Sequence, residues 1–525
     1  MLGHTVLHDL DVDGLISSIR TYTTAGRTAL RERLSTPLSD PVAIEQRQGQ
    51  LKAIKQTLKT VDVNAMRTIL RDTEEDVLSV MTASDDTRHA EYYTQILWPA
   101  KSRFAWLNGL GWLNEAIVFF RTIFLPGLSI LLPLIVFIAP LVFYTLILEE
   151  PLTVKGYFNL LQSSLKKAMP SVLGKPRFAG TGGALEVGEQ FAHVGVSVAM
   201  FVASIWNQVS AAVHMRTIVD DMRRRADSVH RFAKATAALG AALGVPIQLP
   251  TLSEDHLGLF GDAWNSPERI KQLVDAAGEL DMLAAVATLK RTCFPSTDHN
   301  CLQLTDLYHP AVQPTKRVYN SLTMASDVSG SKTHVLLTGP NRGGKSTLLK
   351  SLGCAVLMAQ TVGVVFARTA VLPVFDNIIT ALAPQDVIGK LSLFEAEIEF
   401  AKSVKALVGR TFLMMDEIFH GTNAHDGVEA SQVFLDDLYS KGSTVFSVVS
   451  THYMDLPTRY GVPGLSQNLC MEASEDATDP DRLVYTYRLK NGVNRFSSVR
   501  EILKERGLLG CGPAPKKTTT GTSKV

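Results

Sequence analysis

The sequence predicts an α/β fold for the C-terminal part of the chain, a mixed sheet flanked by helices. Before it lies an all-α region carrying one or two apolar helices of membrane-spanning length. Three observations carry this reading. From about residue 305 to 500, strand-like and helix-like runs alternate, as they do in α/β domains. Within that stretch a glycine-rich loop and a pair of adjacent acids each close an apolar strand. Upstream, residues 122–148 hold no charged side chain across 27 positions.

The elements divide the chain into five segments. Residues 1–115 read as helical, with apolar residues at helical spacing through Asp40–Lys59 and Val61–Met81. Residues 116–215 contain the two uncharged runs, 122–148 and 191–215. A stretch of about 20 apolar residues suffices to cross a bilayer, so both are candidate spans. The first carries Pro126, Pro133 and Pro140, tolerated in membrane helices whose neighbours satisfy the freed carbonyls. The second places Gly195, Ala199 and Ala203 four residues apart, which suits close helix packing in a membrane. A buried hairpin or helix of a soluble core is the competing explanation for each. Basic residues flank both sides, Lys155 to Arg177 and Arg216 to Arg225, so charge does not fix the orientation. Residues 216–304 return to helical character, residues 305–505 form the α/β domain, and 506–525 are a low-complexity tail expected to be disordered.

Composition narrows the setting. The chain has 525 residues, 52 Lys+Arg against 51 Asp+Glu, and a net charge of +1. Any nucleic-acid contact must therefore come from a local patch rather than a global field. Mean hydropathy is +0.11, with 46% hydrophobic and 20% charged residues, and the apolar excess sits in the two uncharged runs. Five cysteines, none in a CxxC pair, read as reduced thiols of an intracellular protein. The N-terminus lacks the basic and apolar regions of a secretory signal.

The motif with the most chemistry is HVLLTGPNRGGKSTLLK, residues 334–350. A strand enters Gly339-Pro340-Asn341-Arg342-Gly343-Gly344-Lys345-Ser346-Thr347, and a helix leaves it, which fits GxxxxGK[ST] in its required context. Glycines let backbone N–H groups curl around phosphates, Lys345 reaches the β/γ-phosphates, Ser346 can ligate Mg²⁺, and the helix N-terminus points its positive end at the anion. ATP with Mg²⁺ is the ligand expected there.

Thr411–Glu417, TFLMMDE, is an apolar strand ending in two acids. The order of the motifs suits a wound sheet with Asp416 at the carboxyl edge to hold Mg²⁺ through water, and Glu417 to polarise the attacking water. The next apolar run, TVFSVVSTH, ends at His452, expected to contact the γ-phosphate.

Longer runs give a family resemblance. TGPNRGGKST resembles the MutS form TGPNMGGKST, with Arg342 in place of Met; DEIFHGTNAHDG (416–427) resembles DEIGRGTSTYDG; and Ser450-Thr451-His452-Tyr453 resembles ATHY. The segment from His309-Pro310 to Asn320, and Leu489–Gly492 with Ser497-Ser498, resemble the two ends of the same domain. Near the N-terminus, Thr24–Arg27 and LRERLSTPLSDPVAIEQRQ (30–48) resemble the opening of the MutS core helices. Residues 10–60 and 305–500 are covered, somewhat under half of the chain. The resemblance implies an ABC-type ATPase that works as a homo- or heterodimer, each nucleotide sandwiched between one subunit's phosphate loop and the other's signature helix. Gln385–Glu397 occupies that helix's place, with Ser392 at its N-terminus offered to the partner's γ-phosphate. Asp426 matches the family pattern, and Tyr319 is the candidate for stacking on adenine by position.

The departures matter as much. The Phe-x-Glu mismatch-reading motif is absent: none of the 22 phenylalanines has Glu two residues on. The resemblance begins directly at the core helices, and the uncharged runs occupy the place of the family's levers and DNA clamp. If both runs cross a membrane, the two resembling parts return to the same side. Two functions follow as expectations. One is an ATP-driven dimer clamp on double-stranded or branched DNA, serving mismatch repair or recombination. The other is a membrane-anchored ATPase acting on a protein partner or on membrane helices, its ATPase domain on the cytosolic or nuclear side. A transporter of the ABC class fits poorly, since the LSGGQ signature is missing and two spans make no translocation path.

Overall fold

The structure is a computed structural model and describes residues 2, 5–83, 92–142, 145, 153, 156–157, 183–298, 300–325, 332–382, 392–461, 464–479 and 481–508. In chain order the helices are α1 (Val6–Asp9), α2 (Val12–Ser18), α3 (Thr24–Ser35), α4 (Pro41–Thr57), α5 (Asn64–Thr82), α6 (Gly111–Phe119), α7 (Leu125–Val142), α8 (Gly183–Leu243), α9 (His256–Asn265) and α10 (Glu268–Ala287). Strands β1 (Ser296–Thr297), β2 (Cys301–Leu307), β3 (Asn320–Ala325) and β4 (His334–Thr338) lead to α11 (Lys345–Thr361). There follow β5 (Thr369–Leu372), β6 (Asn377–Ala381), α12 (Leu393–Lys405), β7 (Thr411–Met415), α13 (Ala424–Ser440), β8 (Val445–Ser450), α14 (Asp455–Gly461), β9 (Gln467–Glu475), β10 (Leu483–Asn491) and α15 (Val499–Glu505). The helix starts are written in local chemistry. Thr23 caps α3 by accepting from Gly26 N, and Asp40 caps α4 by accepting from Val42 N, with Pro41 at the first position, where its missing N–H costs nothing.

Two compact units emerge. The first comprises residues 1–67, 239–246 and 277–525. Its six-stranded sheet runs β10-β9-β4-β8-β7-β6, parallel except for the antiparallel β10–β9 pair. A second sheet has the order β1-β5-β2-β3. Strands β4, β7 and β8 are buried at every residue, which is why they read as continuous apolar runs rather than alternating ones. Leu336, Leu413, Met415 and Val449 from these strands pack with Phe419, Phe434, Leu438 and Tyr460 in one core.

The first 67 residues belong to this unit through specific bonds. Gln360 Nε2 donates to Leu38 O at 2.8 Å, Gln48 Nε2 to Pro295 O at 2.9 Å, and Leu382 N to Asp9 Oδ2 at 3.1 Å. Gly353 on α11 lies so close to Leu10 and Met414 that an added Cβ would sit 2.4 Å and 2.6 Å from their side chains. A buried ion pair fixes the helices: Arg67 Nε donates to Asp281 Oδ1 at 2.7 Å, while Asp281 Oδ2 accepts from the N–H groups of Tyr22 and Thr23 and from the Thr23 hydroxyl.

The second unit comprises residues 68–238 and 247–276. Its described elements are helical. The Tyr93 hydroxyl donates to Asp221 at 2.8 Å, and Phe260 packs on the Tyr93 ring with centroids 4.8 Å apart. Arg224 and Ser228 both donate to Asp76.

The uncharged runs fall in this unit. Helix α6 continues through a π-helical turn, Phe120–Phe124, into α7. Among the described residues one helical stretch, Gly111–Leu131, is long and apolar enough to cross a membrane by length and composition. Part of the 122–148 run lies outside the described residues. The 191–215 run lies within α8, a helix of 61 residues. Residues 509–525, where disorder is expected, lie outside the described residues as well.

Candidate functional site

The loop between β4 and α11 is shaped by its glycines. Gly344 has φ of 95° and stands at the N-cap of α11 without a side-chain cap. A Cβ there would sit 3.2 Å from the Tyr487 ring, and one on Gly343 would sit 2.9 Å from Pro340 O. Bare amides at the start of a 17-residue helix therefore face the pocket, the arrangement that attracts anions. Arg342 takes the left-handed conformation as well, with φ of 68°.

Lys345 is buried, and its Nζ donates to Gly339 O at 2.9 Å and Asn341 Oδ1 at 3.4 Å. Burial lowers its ammonium pKa, while the nearby Asp416 and Glu417 act in the opposite direction. The helix bearing Lys345 also carries Ser346, whose hydroxyl donates to Asp416 Oδ2 at 2.6 Å. Ser450, the last residue of β8, donates to the other Asp416 oxygen. Strand β8 separates β4 from β7, so the loop and the acids stand two strand spacings apart, about 10 Å. The loop after β4 carries the chain across that gap, so that the Ser346 hydroxyl meets Asp416.

Glu417 has φ of 57° and Phe419 of 48°, a backbone state costly outside glycine and tolerated where neighbours over-determine it. Here they do: Glu417 N donates to Ser450 Oγ at 2.9 Å and Ile418 N to Ser450 O at 3.3 Å. His452 Nε2 lies 3.1 Å from Glu417 Oε1 and 3.2 Å from Lys345 Nζ. One nitrogen cannot serve both at once. Protonated, it donates to Glu417; bare, it accepts from Lys345. The hydrogen bond from His452 holds the Glu417 carboxyl below the ordinary glutamate range, against a burial effect that raises it.

Ser392 caps α12 in a reciprocal capping box with Glu395, Ser392 N donating to Glu395 Oε2 at 2.8 Å. Its hydroxyl is thereby engaged within its own helix. Residues 383–391, the start of the expected signature segment, lie outside the described residues. Glu397 of α12 accepts from His420 N and Gly421 N at 3.3 and 3.2 Å, tying α12 to the loop after Glu417. Asp426 N donates to the capping Asn423 at the start of α13.

Residues 308–309, 316–318 and 320 join Pro340–Arg342, Gly344–Ser346, Glu417, Met471 and Tyr487 around a cavity of about 440 Å³, a volume typical of small-ligand sites. Tyr319 does not line it. Its hydroxyl bonds to Arg291, its ring meets Tyr308 edge-on, and it faces a separate pocket with Arg291, Asp306 and Arg368. Alternation along the chain sends Val318 and Asn320 to the cavity and Tyr319 away from it. Two tyrosines line the cavity, Tyr308 and Tyr487, and position in the sequence did not single out Tyr487. It sits where the β9–β10 pairing slips between Tyr485 and Leu489, with φ of 56°. Asn320 pins this bulge, donating to Tyr487 O at 3.0 Å and accepting from Leu489 N at 2.8 Å. A bulge re-aims a side chain in this way, and no local pattern announces it.

A strand, a glycine-rich turn and a helix N-terminus, with two carboxylates arriving at the end of β7, make this an α/β domain of the P-loop nucleotide-binding kind. Residues 335–504 match the family model of MutS domain V. The DNA mismatch repair protein MutS of Thermus aquaticus is 33% identical over 215 residues, 40% of this chain and 25% of that protein. MutS of Natronomonas pharaonis is 29% identical over 246 residues, 46% of this chain and 28% of the relative. The probable mismatch repair protein Msh6 of Drosophila melanogaster is 32% identical over 248 residues, covering 44% and 20%. Residues 335–504 are thus similar to MutS domain V, and the chain spans between a fifth and under a third of the length of these relatives.

Proposed function

We propose that this pocket binds ATP with Mg²⁺ and hydrolyses the γ-phosphate, and that the cycle opens and closes a dimer around DNA, as mismatch repair or recombination requires. The observation that carries the reading is the convergence of Lys345, the Ser346–Asp416 pair and the Glu417–His452 pair on one sheet edge. In this reading the amides of Gly339–Thr347 and the Lys345 ammonium hold the phosphates. Ser346 and Asp416 offer hard oxygen donors, the kind Mg²⁺ prefers, and the ion would neutralise charge building on the phosphates. Glu417 accepts a proton from the attacking water, and His452 orients Glu417 and reaches toward the γ-phosphate. The adenine lies against Tyr487 rather than Tyr319. Ser392 reaches a partner's nucleotide only after giving up its bond to Glu395, so closure of the dimer carries a local rearrangement of that cap.

The test uses Glu417→Gln protein, which retains ATP. Its binding to homoduplex, mismatched and branched DNA is measured with and without ATP. ATP-dependent binding supports the DNA reading, and the preference among the three names the substrate. Binding to none of them overturns it.

A second reading is favoured by a different observation. Trp112, Ile123 and Trp206 are 70%, 60% and 73% exposed, a degree of apolar exposure that marks interaction surfaces. Glu115 and Arg223 pair at 2.6 Å beside the two apolar stretches, so both stretches leave the folded helices at the same place. In this reading the chain is an intracellular, membrane-anchored ATPase with an even number of spans and its ATPase domain on the cytosolic or nuclear side. Retention in the membrane pellet after alkaline carbonate extraction is the expected result. Full release into the supernatant would remove the anchor.

A further inference from the structure

The phosphate loop carries a second cation whose side chain is not turned inward. Lys345 spends its ammonium on Gly339 O and Asn341. Arg342, three residues earlier on the same cavity wall, points instead to the far end of the chain. Its Nη1 donates to Glu505 Oε2 at 2.5 Å, from the last residue of α15. Glu505 and Glu501 together raise the guanidinium's proton affinity. Glu501 in turn accepts from the Tyr485 hydroxyl, and the Tyr485 ring stacks with Tyr487, 6.2 Å between centroids and 21° between planes.

The Arg342–Glu505 pair is open to water, with side chains 42% and 53% exposed. Such pairs contribute little to stability, so exchanging one anion for another is cheap. A phosphate carries more charge than a carboxylate and matches the planar fork of a guanidinium. Arg342 lines the cavity, and its guanidinium is held by Glu505. A methionine, the residue in the MutS form of this motif, offers none of this charge.

We propose that Arg342 is a second polyphosphate-binding residue, held in reserve by Glu505. An incoming nucleoside triphosphate takes the guanidinium from Glu505, and α15 is released from the phosphate loop in the same exchange. This rests on the reading of the cavity as the nucleotide site.

The experiment is equilibrium binding of a non-hydrolysable ATP analogue to the full chain by calorimetry, at two salt concentrations. Arg342→Met is expected to bind roughly tenfold more weakly with a shallower salt dependence. Glu505→Gln is expected to bind about threefold more tightly, since the competing carboxylate charge is gone. In the Arg342→Met background, Glu505→Gln is expected to change nothing. Equal melting temperatures of the apo proteins exclude a folding defect. Arg342→Met binding like the unaltered chain, while Lys345→Ala loses affinity, overturns the inference and leaves the cavity assignment standing. Unchanged binding by Lys345→Ala would overturn the cavity assignment itself. Weaker binding by both Arg342→Met and Glu505→Gln would make the pair a structural brace, and the reserve would not exist.

Discussion

Ser346 and Asp416, 70 residues apart in sequence, are joined by a hydrogen bond of 2.6 Å between hydroxyl and carboxylate. The bond links the start of α11 to the end of β7 across the intervening strand β8, and it places two oxygen atoms at one point. Ser346→Ala should therefore lower nucleotide affinity by about tenfold in excess Mg²⁺ and leave it nearly unchanged in EDTA. A loss of equal size in both conditions would separate Ser346 from the metal.

Glu417→Gln should bind ATP as the unaltered chain does and turn it over at least about a hundredfold more slowly. Single-turnover hydrolysis measures this directly. Retained turnover would take the general base away from Glu417.

The pH dependence follows from the His452 bond, which holds the Glu417 carboxyl low. A base works deprotonated, so the acid limb of turnover should lie below the ordinary glutamate range. His452→Ala, which removes the ring and its hydrogen bond, should move that limb upward, a shift read from kcat against pH in single turnover. The linkage to stability has the same sign: a depressed carboxyl contributes above its unfolded pKa, and that contribution is lost as pH falls through the folded value. An acid limb unmoved by the substitution would show that His452 does not set the Glu417 proton.

Asp281→Ala should destabilise the first unit by about 3–5 kcal/mol, because Arg67 is left as an uncompensated charge with its side chain 4% exposed. The Tyr22 and Thr23 amides lose their acceptor at the same time. Denaturant unfolding of the full chain gives the number. A change under about 1 kcal/mol would mean that water replaces the carboxylate at this site.

How much of this was legible depended on distance along the chain. The phosphate loop, the acids after β7 and the histidine after β8 are local: a strand, its terminal loop and the following helix are set by residues close to one another. Apolar runs at 335–338, 411–415 and 445–450 locate the strands because a strand buried on both faces tolerates no polar alternation. Tyr487 and Glu505 were not legible. One depends on a bulge pinned by Asn320, the other on a helix ending beside a loop more than 150 residues earlier.

By itself, then, the sequence determined the phosphate loop, the buried strands and the identity of the residues at their ends, since short-range sterics and burial decide these. Only the tertiary structure decided that Tyr487 faces the cavity and Tyr319 does not, which anion holds Arg342, and that the first 67 residues pack as one unit with the α/β domain. Those outcomes rest on contacts between distant segments, whose register and packing no local pattern encodes.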